Sequence, residues 1–309
     1  MKKLFLCTVL IAACAALSPA QTLPGWQSDT LSPGMYYHNF NGMEPVTGAP
    51  EIVCVAEVDL DNPAYKVAFQ YDGNNTAVSK VFKESGALAT INATYEKESV
   101  YIKVDGKVYW AIDSPTIPGT PVPQWKSDSS IALDSDGKVH IDYVGRDGDK
   151  TVAEMRKEYI AMDYPCIFTS SPMLIYDFEP VGKTFAERGY TEEEIATLNY
   201  ESPLRHQHAR HPRSAVALTK DNHLLLIAVD GRRPGIAEGM NACELTSFLE
   251  HYFHPQYALN LDGGGSTTLC VKGFGDPEKN VVNYPSGNRS LSREQERPVI
   301  TKISILPAE

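Results

Sequence analysis

A glycine-rich stretch near the C-terminus constrains this chain most. Residues 260–268 are Asn-Leu-Asp-Gly-Gly-Gly-Ser-Thr-Thr, and the apolar run at 257–259 predicts a short buried strand that ends at Asp262. Glycine adopts positive φ angles and lets another molecule approach the backbone closely. Successive backbone N–H groups in such a turn can bind an anion. The stretch therefore predicts either a binding loop for a polar substrate or a tight turn capped by Asp262, and the motif alone leaves both open.

A second predicted strand ends in the same way. Residues 224–229 are apolar and are followed by Asp230 and a glycine, as Asp262 follows its own strand. A helix with an apolar stripe connects the two strands, and a strand–helix–strand connection is typical of parallel neighbours. We therefore expect both aspartates to face one cleft.

Charged side chains flank these strand ends. Arg213 and Arg232 are expected to border the cleft, and Glu244 lies near the start of the connecting helix. There a carboxylate gains from the helix dipole, although a solvated first-turn glutamate is equally consistent. Arginine binds phosphate with paired hydrogen bonds, and glycoside cleavage uses two carboxyl groups. The set suits a substrate with one anionic end and one bond cleaved by acid–base chemistry.

The rest of the chain alternates hairpins with short helices. Hairpins are predicted over 52–69, 100–110, 131–144 and 214–229, the last three with turns at 105–106, 136–137 and 221–222. Helices are predicted over 78–88, 151–159 and 191–199, the last with a capping box of Thr191 and Glu194, and a helix of about 14 residues is predicted after 238–240. An irregular lead-in with one short strand is predicted over the Pro- and Gly-rich residues 21–50. No regular β-α-β alternation occurs. We therefore expect an α+β fold, with a mixed β-sheet core and flanking helices in a single catalytic domain.

The N-terminus predicts export. Residues 1–3 are basic, an apolar run follows, and Ser18-Pro19-Ala20 offers small residues before a cleavage site, so residues 1–20 form a predicted signal peptide. Residues 11–14 also resemble a lipobox, which would make Cys14 a lipid anchor. The protein is expected to be periplasmic or extracellular.

Two further regions follow the predicted signal. We expect an irregular and β-rich region at 21–85, packed on a catalytic domain at 86–309. No transmembrane span is expected, because no later stretch reaches about 18 consecutive apolar residues.

Charge and cysteine content narrow the function classes. The net charge is −11, and removal of the signal takes away Lys2 and Lys3 and lowers it to −13. Such an acidic protein lacks the broad electrostatic footprint of a nucleic-acid binder. The remaining cysteines are Cys54, Cys166, Cys243 and Cys270. They are too few for a disulfide scaffold, and although their pairing stays open, we expect buried free thiols.

Several motifs together resemble the phosphodiester glycosidase family. They are the segment 210–232, Gly239-Met240, Glu244-Leu245 and the Asn-Leu-Asp-Gly-Gly-Gly-Ser block, with Ile91-Asn92-Ala93, Ser171-Pro172-Met173-Leu174, Tyr284-Pro285-Ser286 and Arg297-Pro298-Val299 as shorter elements. The resemblance is strong from about residue 205 onward and thin before residue 85. It implies a secreted hydrolase with one mixed α/β catalytic domain that cleaves a sugar from a sugar-1-phosphodiester.

The resemblance also implies a site. Carried over by motif, the site comprises Asn92, Arg213, Asp230, Glu244 and Asp262, with Gly263, Gly264 and Ser266 in the turn. The three carboxylates are the expected catalytic groups, and the others, together with Arg232, are expected to bind the substrate and its phosphate. No metal and no cofactor are expected. Ala93 and Thr94 stand where the family often has glycine, and Ser214 where threonine is usual, which leaves the sugar specificity open.

Two other functions remain open from the sequence. His206, His208 and His211, with an aspartate, could ligate the divalent ion of a metal-dependent phosphodiesterase, but neighbouring arginines repel a cation and an exposed polar loop is the expected state of these histidines. The chain could also be a non-catalytic sugar-phosphate binding module. In each case the expected partner is a small-molecule or glycan sugar phosphate, and the oligomeric state is not predicted.

Overall fold

The computed structural model describes residues 23–71, 73–146, 148, 150–183, 191–287 and 291–308. The predicted signal peptide at 1–20, with Cys14, lies outside these residues. The strands are β1 (Trp26–Ser32), β2 (Met35–Glu44), β3 (Ala49–Asp59), β4 (Tyr65–Gln70), β5 (Ala89–Asn92), β6 (Tyr101–Val104), β7 (Lys107–Ala111), β8 (Ser129–Leu133), β9 (Val139–Asp142), β10 (Cys166–Ser170), β11 (Met173–Tyr176), β12 (Arg213–Leu218), β13 (His223–Val229), β14 (Tyr257–Asn260), β15 (Leu269–Val271) and β16 (Lys302–Pro307). The helices are α1 (Val78–Ser85), α2 (Val152–Ala161), α3 (Glu192–Thr197), α4 (Pro203–His208) and α5 (Ala242–Tyr252).

The largest sheet positions the candidate site. Its seven strands follow the order β1-β2-β3-β13-β12-β14-β11, and every neighbouring pair is antiparallel. Successive side chains of a strand point to opposite faces. In the central strand β13, Ile227 therefore packs with Leu245 and Phe248 of α5, whereas Leu226 packs toward the other two sheets. Burial on both faces makes this strand the centre of the core.

Two smaller antiparallel sheets close the other face of the core. One has the order β15-β5-β16-β4 and the other β7-β6-β10-β8-β9. Ile91 and Ile303 of the first sheet and Phe168 of the second share one apolar cluster with Leu226. The described chain is therefore a single α+β domain, as the sequence predicted. Within the described ranges, no helix is long and apolar enough to cross a membrane.

Local turns are predicted well and strand pairing less well. The hairpins turning at 105–106, 136–137 and 219–222 are confirmed, and Thr191 and Glu194 form the expected capping box of α3. The predicted hairpin over 52–69 is wrong, because β4 pairs with β16 in a different sheet while β3 pairs with β2 and β13. The turn after β3 carries the chain from one sheet to the next, which a local turn signal does not reveal.

The N-terminal region is more regular than predicted. Residues 21–50 contain the long antiparallel hairpin of β1 and β2, where one short strand was expected. Gly34 lies in the turn of this hairpin with a φ of 80°, so this glycine marks a tight turn between two strands. Strand β3 then hydrogen-bonds along its length to β13, which comes from the C-terminal half.

The four cysteines of the described chain are free thiols. Cys54, Cys166 and Cys270 are buried, and Cys243 is half-buried. This agrees with the expectation of free thiols rather than a disulfide bridge.

Candidate active site

The glycine-rich stretch lies at one end of the central strands of the seven-stranded sheet. Strand β13 ends at Val229, β14 ends at Asn260, and β12 begins between them at Arg213. Because β12 is antiparallel to both, β13 and β14 run in the same direction, and Asp230 and Asp262 follow them at the same end. The parallel direction is as predicted, but the two strands are not neighbours, because β12 separates them.

A cavity of about 240 Å³ opens at this end. Its walls hold five cations and three carboxylates. They are Lys126, Arg205, Arg213, Arg232 and Arg297, and Glu96, Glu201 and Asp262, together with Tyr95, Tyr200, His206, His211, Pro212 and residues 263–265. A protein with a net charge of −11 thus concentrates positive charge in one pocket, which favours an anionic ligand.

The loop after β14 offers unpaired N–H groups to this cavity. Residues Gly264–Ser266 form one turn of 3₁₀ helix, and the N–H of Gly264 donates to the carbonyl of Pro212 at 2.8 Å. The N–H groups of Gly263 and Gly265 have no hydrogen-bond partner among the described residues. A Cβ at Gly263 would lie 2.6 Å from the Pro212 carbonyl oxygen. Glycine is therefore required there, and two donors remain for a bound anion.

Asn92 holds this loop from behind. Its amide donates to the backbone carbonyl of Asp262 at 2.6 Å, and its side-chain oxygen accepts from the Ser214 hydroxyl and the Thr268 N–H. Asn92 is fully buried and does not line the cavity. The structure thus places this predicted substrate-binding residue behind the loop.

Asp230 supports the same loop indirectly, through Asn283. Its carboxylate accepts from the Asn283 amide at 3.1 Å and from the Tyr284 N–H at 2.9 Å. Asn283 in turn donates to the Thr267 carbonyl and accepts from the Leu269 N–H. Burial raises the pKa of Asp230 to about 7, against the lowering effect of these hydrogen bonds. Asp230 is almost fully buried and is not among the residues that line the cavity.

Asp262 is the predicted catalytic carboxylate that lines the cavity. Its side chain is 22% exposed, and burial raises its pKa to about 6. The Ser266 hydroxyl lowers the pKa in part, and the Arg297 guanidinium lies 3.9 Å from the carboxylate while donating to Ser266 Oγ. A carboxyl group with a pKa near 6 can exchange protons close to neutral pH.

Arg213 lines the cavity, but most of its donors are already bound. The residue is 1% exposed, and its guanidinium donates to the carbonyls of Met240, His206 and Ala209 at 2.9, 2.7 and 3.0 Å. Burial lowers its pKa to about 10. It therefore contributes fixed positive charge and holds the segment before β12 in place.

Arg232 differs from Arg213 in its hydrogen bonding. Within the described part of the chain its guanidinium has no hydrogen-bond or ion-pair partner. It lies against the glycine loop, since a Cβ built on Gly264 would be 2.9 Å from Arg232 Nη2. The Arg232 guanidinium therefore lies beside the glycine loop in the lining of the cavity.

Glu244 is placed outside the cavity lining. It forms the capping box of α5 with Asn241, as its position near the helix start predicts, and accepts two hydrogen bonds from Arg210 Nε at 3.0 and 3.1 Å. The structure thus brings Asp262, Arg213, Arg232 and the glycines together at the cavity, with Ser266 buried beside Asp262, but does not bring Glu244 there.

The histidines do not form the exposed loop that was expected. Residues 203–208 form α4, and His206 packs against Trp125 and Tyr95 with ring centroids 4.9 and 5.8 Å apart. Burial lowers the pKa of His206 well below its usual range and that of His211 to about 4. Across the described ranges, no group of three or more His, Cys, Asp or Glu side chains is placed to hold a metal ion. The predicted histidine ligand set is therefore not assembled.

The sequence did not predict some of the residues that line the cavity. Lys126 is buried and forms ion pairs with Glu96 at 2.6 Å and Glu201 at 2.8 Å. Arg297 was present in a recognised motif but was not assigned to the site. Glu96 closely follows the Asn92 element, which could have pointed to it. No signal joins Lys126 to Glu201.

Comparisons with known proteins give a family and a fold. The phosphodiester glycosidase family model matches residues 76–306. The zebrafish N-acetylglucosamine-1-phosphodiester alpha-N-acetylglucosaminidase catalytic domain, auto-inhibited by its pro-peptide, is similar with a TM-score of 0.59 and 19% identity, over 93% of this chain and 85% of that chain.

Two further solved structures are similar. A hypothetical protein from Synechocystis has a TM-score of 0.51 and 15% identity, over 91% of this chain and 64% of that chain. A protein of Burkholderia pseudomallei K96243, described as a candidate exported protein, has a TM-score of 0.50 and 14% identity, over 84% of this chain and 74% of that chain. A comparison with curated protein sequences finds no match. At these identities the solved structures share the fold.

Proposed function

The chain belongs to the phosphodiester glycosidase family, and from that premise we propose that it is a secreted hydrolase that releases a sugar from a sugar-1-phosphodiester. One observation carries the proposal. Asp262, a carboxyl group of raised pKa, lines the same cavity as unpaired loop N–H groups and the uncommitted guanidinium of Arg232. The zebrafish protein is named for an N-acetylglucosamine-1-phosphodiester, so this diester is the first substrate to test.

The phosphate is proposed to bind beside the glycine loop. The N–H groups of Gly263 and Gly265 and the guanidinium of Arg232 supply donors that no other described residue accepts from. Charge-assisted hydrogen bonds of this kind are the strong ones. Arg297 adds a second cation, and Gly264 shapes the loop, since its own N–H is taken by Pro212. Arg213 supplies mainly charge.

Asp262 is proposed to act at the anomeric carbon. As a carboxylate it can activate water or stabilise an oxocarbenium-like centre on the sugar. The departing group is a phosphomonoester, which leaves readily without a strong general acid. A cavity with one partly exposed carboxyl group of raised pKa among several cations therefore meets the need of this reaction.

The other predicted catalytic carboxylates are proposed to act through neighbours. Asp230 holds Asn283, which bonds the backbone of the glycine loop, and Glu244 fixes Arg210 and the start of α5. Asn92 likewise positions Asp262 by holding its backbone carbonyl. Their loss would disturb geometry and stability before it disturbed the chemical step.

Hydrolysis in ¹⁸O-labelled water tests the bond that is cleaved. Attack at carbon places the label in the C1 hydroxyl of the sugar, which must be measured early because the free sugar exchanges that oxygen with solvent. Label in the phosphate would contradict the proposal and favour a phosphodiesterase, whose metal dependence EDTA treatment and metal analysis would then establish. Tight binding of the diester with no turnover would instead identify a binding module.

A further inference from the structure

A second, larger cleft lies at the opposite end of the same central strands of the seven-stranded sheet. Its volume is about 850 Å³. One wall comes from the turn after β12 and from Tyr257 at the start of β14, and the other from the hairpin of β8 and β9. Strand β12 runs from Arg213 at the glycine-loop cavity to Leu218 at this cleft. The two openings therefore lie at opposite ends of the same strands.

The side chains that line this cleft are balanced in charge. The lining contains three lysines and three aspartates: Lys66, Lys138 and Lys220, and Asp61, Asp136 and Asp142. No excess of either sign is available to select an anion or a cation. A ligand that fits this lining is neutral and polar.

Aromatic rings and neutral polar side chains give the cleft its chemistry. Tyr176 and Tyr257 are half-buried, with ring centroids 5.5 Å apart, and Tyr65 lines the same space. Thr219, Asn222 and Gln256 add neutral polar side chains to the same lining.

We propose that this cleft binds a neutral oligosaccharide. Sugar rings offer apolar C–H faces to tyrosine and hydroxyl groups to carboxylate and amide side chains, and neutral sugars need no charge complement. The volume falls in the range of about 300–1,000 Å³ typical of ligand sites. This inference is independent of the chemistry proposed at the glycine loop.

Calorimetric titration of the full chain with chitotetraose, maltotetraose and cellotetraose tests the inference. We expect at least one to bind with a Kd of about 1 mM or tighter, with little change between low and high salt because the ligand is neutral. Hydrogen exchange should slow at 136–142 and 218–222. Tyr257→Ala should weaken binding at least about tenfold, whereas Tyr257→Phe keeps the ring and should bind as before.

Arg232→Ala is the matched control, because it alters only the glycine-loop cavity and should leave this binding unchanged. If Tyr257→Ala does not fold, Tyr176→Ala removes the other ring of the pair and should weaken binding by a similar factor. The inference is overturned if no oligosaccharide binds up to about 10 mM. Protection at 262–266, or loss of binding in Arg232→Ala, would overturn it as well.

Discussion

The two clefts of this protein stand on opposite ends of the same three strands, β12, β13 and β14, yet they differ in charge and in support. The glycine-loop cavity has five cations and three carboxylates, whereas the larger cleft has three of each. Behind the glycine loop, Asn92 and Asp230 form a buried polar framework. The turn at 219–222 in the larger cleft is held by more exposed groups: the Asn222 N–H donates to the Thr219 carbonyl, and the Asn222 amide donates to Asp61 of the loop after β3.

This difference shows that the strands alone do not make a reactive site. The strands are a common apolar framework, and what each end can do depends on the side chains that follow them. Asp262 follows β14 at one end, while Tyr257 begins it at the other. Paired substitutions, one at each end of these strands, can therefore distinguish the side chains that react from the strands that support them.

The largest effect is expected at Asp262. Asp262→Asn should lower turnover of a sugar-1-phosphodiester by at least about 10²-fold, because the amide cannot act as a base, while the melting temperature changes little. Asp142→Asn in the larger cleft is the control and should leave the rate unchanged. Equal activity of Asp262→Asn and the wild type would remove Asp262 from the chemistry, and failure of Asp262→Asn to fold would make it a turn cap.

A smaller effect is expected at Arg232. Arg232→Ala should lower kcat/KM for the phosphodiester by about 10- to 100-fold, since a charge-assisted hydrogen bond contributes about 1.5–3 kcal/mol. An uncharged aryl glycoside of the same sugar should lose much less. Lys220→Ala, at the balanced cleft, is the matched control and should change neither substrate. Equal losses on both substrates would exclude a phosphate-binding role for Arg232.

Arg213→Ala tests two roles of Arg213: its positive charge in the cavity and its support of the segment before β12. It removes a buried guanidinium that bonds three carbonyls, so we expect the free energy of unfolding to fall by about 1–3 kcal/mol. Activity should also be lost mainly on substrates that carry phosphate. Chemical denaturation and the same two substrates give the answer. An Arg213→Ala protein with full stability and equal losses on both substrates would contradict both roles.

The last effect is on stability rather than turnover and concerns Asp230 and pH. Its folded-state pKa is raised from 3.8 to about 7, so the folded protein holds this proton more tightly than the unfolded chain. The resulting contribution to stability is complete below about pH 4 and is lost as the pH rises to about 7. Asp230→Asn keeps an acceptor for the Tyr284 N–H and should flatten that part of the curve, as urea denaturation at several pH values would show. An unchanged slope would contradict the raised pKa.

Sequence reasoning reached the parts of the fold that depend on neighbours in the chain. The turns at 105–106 and 136–137 and the capping box at Thr191 are local, and all were predicted. The short buried strand that leads into the glycine loop was also predicted. The pairing of β4 with β16 depends on residues far apart in sequence, and no turn signal reports it.

The site shows the same limit. Asp230 and Asp262 were expected to face one cleft, and the direction of their strands was correct. However, the insertion of β12 between the strands and the burial of Asp230 behind Asn283 depend on tertiary packing. The ion pair of Lys126 with Glu201 joins residues 75 positions apart. Neither residue belongs to a motif, so no pattern in the chain could have joined them.

The close approach of Gly263 to Pro212 has a consequence for how this protein can vary. Since any Cβ at 263 would meet a backbone carbonyl oxygen at 2.6 Å, a saturation library at that position should return glycine alone. Tyr200, at the rim of the same cavity, is 62% exposed and should accept many residues. New sugar preferences would therefore be selected from the rim inward, while the floor of the cavity stays the same.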